Sequence, residues 1–217
     1  MARNGTAGVD VMLALRTGTA TEHQQLEDSL DLLDPALDAA RLGHVLDRMH
    51  GFWVTAEAGL DDWAAADPDT ATALDWPARR RAHLFAADLA ALGRAPEGDA
   101  PALDPVVDTA TALGRLYVLE GSTLGGQFID AHLATLPTLA GAARLHAFSP
   151  YGERTGAMWA AFRRVVRDRL VPGPDADTAV SAARRTFHGL AAWCTDVEQP
   201  ASHPAVPSSS PPGGVPA

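Results

Sequence analysis

The chain has 217 residues, enough for one domain of ordinary size, and 47% of them are hydrophobic, enough to build a core. The formal net charge is -10, and arginine supplies every fixed positive side chain because the sequence contains no lysine. This acidic balance does not fit a general nucleic-acid binder, and no apolar run approaches the roughly 18 to 20 residues that span a bilayer. The single cysteine, Cys194, and the lack of a signal-like N-terminus predict a cytoplasmic protein.

Apolar residues recur at spacings of three and four along most of the chain, which is typical of helices, and strand-like alternation is almost absent. Taken in chain order, the predicted helices cover residues 13–33, 42–63, 79–92, 104–136, 153–170 and 177–197. The first should stop at Pro35, which lacks the amide donor that a helix needs, and Gly93 should cap the third. The sequence therefore predicts a single all-α domain over residues 9–198, followed by a disordered tail rich in Pro, Ser and Gly over residues 199–217.

Three glycines fall inside the fourth predicted helix, at Gly121, Gly125 and Gly126. Each glycine costs a helix interior roughly 0.5 to 1 kcal/mol relative to alanine, so the sequence predicts an interruption there. Their spacing removes side chains from one face, which would let the backbone come close to a flat or bulky group. A tight helix crossing, or a loop between two shorter helices, explains this segment equally well. A phosphate-binding loop does not, because no Gly-Lys-Ser/Thr sequence follows.

A second candidate segment lies in the first predicted helix, where His23 and Glu27 are one turn apart. A neutral imidazole is a common metal ligand, and a carboxylate on its other nitrogen fixes the tautomer and strengthens the ligand. Arg16, two turns before His23, could reach an anion beside such a ligand. Each of these residues alone is also consistent with a solvated helix surface.

Together the two segments resemble the haem oxygenase family, in particular its bacterial biliverdin-forming members. The matching patterns are Leu15-Arg-x-x-Thr-x-x-x-His-x-x-Leu-Glu27 and Glu120-Gly-Ser-x-Leu-Gly-Gly-Gln127. Two later segments are similar to the closing helices of that family: Tyr151-Gly-x-x-x-Gly-x-x-Trp-x-x-Phe162 and Ala182-Ala-Arg-Arg-Thr-Phe-x-x-Leu-x-x-Trp193. The resemblance covers most of residues 13–193.

This resemblance implies a fold in which haem lies between a proximal helix and a distal helix that kinks at its glycines. His23 takes the position of the axial ligand to iron. The distal, catalytic positions fall on Gly121, Ser122, Gly125 and Gly126. The remaining positions implied to contact the cofactor are Arg16 and Arg164 at the propionates, Tyr117 on the distal side, and Phe187 in the pocket lining.

The reaction that the resemblance implies is oxygen-dependent opening of haem, as cofactor and substrate, to biliverdin, carbon monoxide and iron. Electrons should come from a ferredoxin or an NADPH-linked reductase, because the sequence has no nucleotide-binding fingerprint. Some members carry an aspartate after the first distal glycine, where this chain has Ser122. Some relatives carry a basic residue three positions before the histidine, where this chain has Ala20. A hydroxyl relays a proton but holds no negative charge at neutral pH, so this departure bears on proton delivery.

Three alternatives remain open from the sequence. The first is a haem carrier or sensor of the same fold without turnover. The second is a non-haem iron oxygenase of the same fold, for which the nearest ligand material is His50 with Asp47 and His132 with Asp130. The third is a helical interaction module that uses exposed tryptophans, Trp63 and Trp76, as partner contacts.

Arginines gather in three clusters, over residues 79–81, 163–169 and 184–185. Solvated helix faces explain most of them, and some could meet haem propionates or steer an acidic ferredoxin.

Overall fold

The computed structural model describes residues 10–139 and 145–195, and all regular structure in these two ranges is helical. The α-helices in the described chain are α1 (Val11–Gly18), α2 (Ala20–Leu30), α3 (Ala39–Ala66), α4 (Pro68–Leu74), α5 (Ala82–Ala91), α6 (Thr109–Leu133), α7 (Thr155–Arg169) and α8 (Pro174–Thr195). Short 3₁₀ turns cover Trp76–Arg79, Pro137–Leu139 and Gly152–Arg154. The prediction of an all-α fold is confirmed, whereas the predicted tail over residues 199–217 lies outside the described residues.

The packing of α6 against α8 organises the second half of the chain. α8 lies along α6 and also contacts α1, α2 and α3. At the crossing of α6 and α8, a Cβ added to Gly114 would lie 2.3 Å from the Ala179 carbonyl oxygen, so the two backbones touch there. α3 supplies much of the core beside them, with fully buried side chains that include Leu46, Phe52 and Leu60.

The first predicted helix is in fact two helices, α1 and α2, which meet at Thr19. The Thr19 hydroxyl donates back to the Leu15 carbonyl oxygen at 2.7 Å, a local bond that competes with regular helix geometry. A Cβ on Gly18 would lie 2.6 Å from Cγ1 of Val180, so α8 sits directly against the bend. This contact between distant parts of the chain has no counterpart in the local periodicity.

The end of α2 and the presence of α4 also differ from the prediction. α2 ends at Leu30, well before Pro35, because Asp31 adopts a left-handed backbone with φ of 42°. The short helix α4 was not predicted. Its signals are present in the sequence, since the Asp67 carboxylate caps the amide of Thr70 and a proline occupies the first helical position.

The expected interruption of the glycine-bearing helix is wrong. α6 is continuous from Thr109 to Leu133 and passes through Gly121, Gly125 and Gly126 without a break. It begins at the Asp108 cap, whose carboxylate accepts from the Thr111 amide at 2.7 Å. Buried residues on both sides of the glycines anchor the helix, so tertiary packing outweighs the low helix propensity of glycine.

The two tryptophans proposed as partner contacts are buried instead. Trp63 is 3% exposed and its indole N–H donates to the Thr109 hydroxyl, while Trp76 is 4% exposed and donates to Asp61. The interaction-module alternative therefore loses its basis. Among the helices of the described ranges, none is both long and apolar enough to cross a membrane.

Asp67 makes the stability of the helical domain depend on pH. Hydrogen bonds from Thr109 and Thr70 hold the pKa of this carboxyl below its ordinary value of 3.8, against the opposing effect of burial. A lowered acid pKa contributes stability above the ordinary pKa, and that contribution is lost as the pH falls through the folded value. We expect Asp67→Ala to lower the free energy of unfolding by about 1 kcal/mol at pH 7 and by less at pH 3, which is below the ordinary pKa of the carboxyl.

Urea unfolding at the two pH values measures this difference. Asp67→Asn is the matched control, because asparagine keeps a capping oxygen but does not titrate. Its cost should be smaller than that of alanine. A cost for Asp67→Ala that stays the same at pH 7 and pH 3 would contradict the role given to the Asp67 charge.

Candidate functional site

The residues that flank α2 on either side contact α6. At one end the side chain of Thr19, just before α2, interacts with Tyr117 of α6. At the other end Nε2 of His132, on α6, lies 3.2 Å from the carbonyl oxygen of Asp34. Both contacts follow the same chain order, so the two helices run in the same direction. The side chains that they present between these two contacts form the candidate site.

His23 occupies this stretch of α2. Its side chain is 54% exposed, and its ring meets the ring of Phe187 edge-on, with centroids 5.7 Å apart. Phe187 comes from α8 and is itself 5% exposed, so the imidazole rests against a fixed aromatic surface. An accessible imidazole held in this way can bind a metal through a ring nitrogen.

Glu27 lies beside the same ring. Its Oε1 is 3.5 Å from Nε2 of His23, longer than a normal hydrogen bond, and its side chain is 57% exposed. The predicted pairing of the two side chains is therefore loose in this structure. The carboxylate is within reach of the imidazole and can orient it once one ring nitrogen is engaged elsewhere.

α6 has an open face in its stretch between Tyr117 and His132. A Cβ added to Gly121 or Gly125 would have no heavy atom of the described chain within 4 Å, helix backbone aside. The same face carries two exposed apolar side chains, Leu124 at 40% and Phe128 at 74% exposure. The sequence analysis missed Leu124 and Phe128, although their spacing of three and seven from Gly121 places them on its face. The open face thus combines bare helix backbone at the two glycines with apolar side chains beside them.

Gly126 does not belong to this open face. A Cβ on it would lie 1.8 Å from the carbonyl oxygen of Phe148, so its missing side chain makes room for the backbone of the 145–148 segment. The prediction that all three glycines clear space for one flat ligand is therefore corrected. Two of them, Gly121 and Gly125, adjoin open space, and Gly126 is a packing residue.

A buried charged cluster supports α6 from behind. The Glu120 carboxylate, 1% exposed, pairs with the Arg79 guanidinium and accepts from the Tyr151 hydroxyl at 2.8 Å. Burial raises the pKa of Glu120, and the charge of Arg79 opposes that rise. Burial also raises the pKa of Tyr151, so this hydroxyl stays protonated and acts as a donor.

Arg81 extends this support to Ser122. Its guanidinium, in a side chain that is 2% exposed, donates to the Leu119 carbonyl at 2.8 Å, to the Ala147 carbonyl at 2.8 Å and to the Ser122 hydroxyl oxygen at 3.0 Å. The Ser122 hydroxyl in turn donates to the Leu119 carbonyl at 2.8 Å. Its proton is therefore engaged, and only its oxygen is free to accept a further hydrogen bond.

Two of the arginines predicted to meet anions differ in position. Arg16 is exposed, and its charge acts on Tyr117. Burial raises the pKa of Tyr117, and the hydrogen bond with Thr19 and the charge of Arg16 oppose that rise. Arg164 is exposed on the side of α7 away from the core. The adjacent Arg163 is half-buried and lies one turn after Trp159, whose ring packs at a tilt against that of Tyr117. The Nε of Arg163 is buried without a hydrogen-bond partner in the described chain.

The ligand material for a non-haem iron centre is dispersed. No three His, Cys, Asp or Glu side chains of residues 10–139 and 145–195 lie close enough to hold one metal ion. Asp47 instead accepts from the Glu97 amide at 2.8 Å, and His132 contacts Asp34. Burial raises the pKa of the Cys194 thiol to about 12, which disfavours the thiolate that binds iron.

Comparisons with known proteins agree on one family. No protein-family model matches the chain. A curated heme oxygenase from Xanthomonas campestris pv. campestris is 33% identical over 152 residues, which are 70% of this chain and 87% of that protein. Among solved structures, heme oxygenase from Neisseria meningitidis gives a TM-score of 0.71 at 20% identity, covering 94% of this chain and all of the other. Heme oxygenase-1 from Synechocystis, solved in complex with heme, gives 0.67 at 15% identity, covering 88% of this chain and 93% of its own.

Proposed function

This chain belongs to the haem oxygenase family, and from that premise we propose that it binds haem between α2 and α6 and opens the ring oxidatively. Haem is both its substrate and its cofactor, and the products are biliverdin, carbon monoxide and iron. The observation that supports the location best is the combination, on neighbouring stretches of α2 and α6, of an accessible histidine with an apolar face that lacks side chains at Gly121 and Gly125.

The residues in this region suit the chemistry of haem. A porphyrin is flat and apolar except at its two propionates, and the open face of α6 offers glycine backbone flanked by Leu124 and Phe128. His23 would hold the iron through a ring nitrogen, with Glu27 orienting the imidazole and Phe187 supporting it. Bound haem supplies both the redox-active iron and the ring edge that is oxidised.

The distal residues act by space and by hydrogen bonding. The bare backbone at Gly121 and Gly125 would leave room for oxygen beside bound haem, and the flanking apolar side chains Leu124 and Phe128 would limit the entry of bulk water. Ser122 acts as an acceptor for a water molecule, because its own proton is directed to Leu119. The Arg81 guanidinium behind it keeps the hydroxyl in this orientation, so protons reach the site through water rather than from Ser122 itself.

Haem binding by arginine variants tests which arginines contact the propionates. We propose Arg16 and Arg163 as propionate contacts, with Arg164, implied by the resemblance, as the comparison. Arg16→Ala and Arg163→Ala should each weaken haem binding about two- to fivefold, the range for partly exposed ion pairs, whereas Arg164→Ala should change it less than about twofold. Titration of the haem-free protein with haem measures these affinities.

The dimethyl ester of haem is the control for this test, since it lacks the propionate charges. The effects of Arg16→Ala and Arg163→Ala should disappear with the ester. If Arg164→Ala weakened haem binding more than Arg163→Ala, the propionate contact would be Arg164, as the sequence resemblance implies. The choice of Arg163, which is based on its burial, would then be wrong.

Turnover itself is tested by supplying haem, air and a donor system. The family requires external electrons, and we propose a ferredoxin or an NADPH-linked reductase as the donor. With ferredoxin, its reductase and NADPH, the haem absorption band should decay while biliverdin absorbance rises and carbon monoxide is released. A persistent haem band without biliverdin, with either donor, would favour the carrier or sensor alternative.

A further inference from the structure

A second cleft lies on the other side of α8 from the His23 site. It has a volume of about 230 Å³ and lies between the first turns of α6, the middle of α8 and the irregular segment before α6. Its polar lining comprises Asp104, Thr111, Arg115, Arg185, Thr186 and His188. The volume is below the roughly 300 to 1,000 Å³ typical of drug-sized ligand sites, so it suits a compact molecule and excludes a porphyrin.

Arg115 is the unusual member of this lining. The residue is only 5% exposed. Its guanidinium donates one hydrogen bond, from Nη2 to the carbonyl oxygen of Asp104. It forms no ion pair with any described residue, in contrast to the buried Arg79, which pairs with Glu120. Burial of this charge is costly and lowers the pKa of Arg115, and the charge of the Asp104 carboxylate opposes that effect only in part.

The one carboxylate in the lining is already engaged. Oδ2 of Asp104 lies 2.9 Å from Nε of Arg185, and Arg185 also donates to the Ser181 hydroxyl at 2.6 Å. Two guanidinium groups and one carboxylate leave the cleft with a local positive charge, although the whole chain carries -10. The positive end of the α6 dipole adds nothing to this charge, because the Asp108 carboxylate caps it at the Thr111 amide.

We propose that this cleft binds a compact oxyanion, a carboxylate or phosphate group on a small molecule, between the guanidinium groups of Arg115 and Arg185. Both groups favour carboxylate and phosphate oxygens through paired hydrogen bonds. The site is separate from the haem site, because Phe187 contacts His23 from one side of α8 while Thr186 and Gly189 line the cleft from another. Anion binding therefore requires neither haem nor His23.

The test uses the full haem-free chain with two probes, inorganic phosphate and succinate, titrated calorimetrically at an ionic strength held constant with chloride. At least one probe should bind with one-to-one stoichiometry, and the probe that binds identifies which oxyanion the cleft prefers. Nitrogen NMR of the arginine Nε–H groups should show a shift of the Arg115 signal on binding. If neither probe binds, the proposal is wrong.

Two variants examine the location without disturbing the core. Arg185→Gln should weaken binding about tenfold, as expected for the loss of a charged hydrogen-bonding partner, and Ala102→Trp should abolish it by filling the cleft from its exposed rim. Arg154→Gln, which removes an exposed arginine elsewhere, is the control and should leave binding unchanged. Equal losses in all three variants would indicate a general charge effect and overturn the proposal, as would full binding in Ala102→Trp.

Discussion

Gly125→Leu is expected to give a folded protein that no longer takes up haem, whereas the neighbouring Gly126→Ala is expected to destabilise the fold itself. No heavy atom of the described chain lies within 4 Å of a Cβ at Gly125, so a side chain there meets nothing in the haem-free protein. Replacing a helical glycine also raises helix stability by roughly 0.5 to 1 kcal/mol. The leucine side chain would, however, fill the space in which we place the porphyrin.

Gly126 gives the opposite result because its Cβ would lie 1.8 Å from the Phe148 carbonyl oxygen. Backbone cannot rotate away as a side chain can, so α6 or the 145–148 segment has to move. Overpacking of this kind costs about 1 to 3 kcal/mol, and often more where backbone is involved. Thermal unfolding of the haem-free variants, beside haem titration, separates loss of stability from loss of the site.

The pair of variants discriminates between two assignments of the glycines. A lower unfolding temperature for Gly125→Leu, together with a normal one for Gly126→Ala, would mean that the open face is the one turned toward the core. Normal haem uptake by a stable Gly125→Leu protein would remove haem from this face of α6.

His23→Ala is expected to abolish axial coordination while leaving the haem-free fold intact. The side chain is 54% exposed and its protein contacts are the loose approach of Glu27 and the edge of the Phe187 ring. Substitutions at such surface positions usually change stability by less than about 0.5 kcal/mol. Mutation of residues that only support a metal ligand typically lowers metal affinity or activity about 10- to 100-fold. Loss of the ligand itself should therefore lower turnover by more than about 100-fold.

The ferric haem absorption spectrum reports the loss directly, and added imidazole should restore part of the wild-type spectrum by occupying the vacated position. His188→Ala is the matched control, since His188 is also exposed, at 61%, and also lies near a carboxylate, 3.8 Å from Glu22. An unchanged spectrum in His23→Ala would move the iron ligand to another residue and overturn the assignment of α2.

The helical periodicity predicted the class of fold well, because apolar residues three and four apart report directly on which side of each helix is buried. It failed where a distant contact determines local geometry. The bend at Thr19 depends on Val180 and Gly18 touching, and the role of Gly126 depends on Phe148, neither of which is visible in a local window. The glycines of α6 predicted a break because propensity is local, whereas the anchoring of that helix is tertiary.

The arginine run at residues 79–81 illustrates the same limit for the site. A cluster of like charges is typical of a solvated surface, yet Arg79 and Arg81 are 3% and 2% exposed and only Arg80 faces solvent. They lie at the end of a 3₁₀ turn and before α5, where the backbone sends alternate side chains inward. Their partners, Glu120 and Ser122, are about 40 positions further along the sequence. The candidate residues His23 and Phe187 were predicted through the resemblance, and the structure brings them into contact.

The uneven support of α6 has a consequence for how this chain can vary. Up to Glu120 nearly every residue of the helix is buried, with Gly114 against Ala179 and Glu120 against Arg79. After Glu120 the face of Gly121 and Gly125 meets open space, while Gly126 packs against Phe148. Substitutions at the packed positions should reduce the amount of folded protein in a cell regardless of haem. Substitutions on the open face should leave protein abundance normal and remove only activity, so a mutational scan that scores both would confine this second pattern to one face of α6 after Glu120.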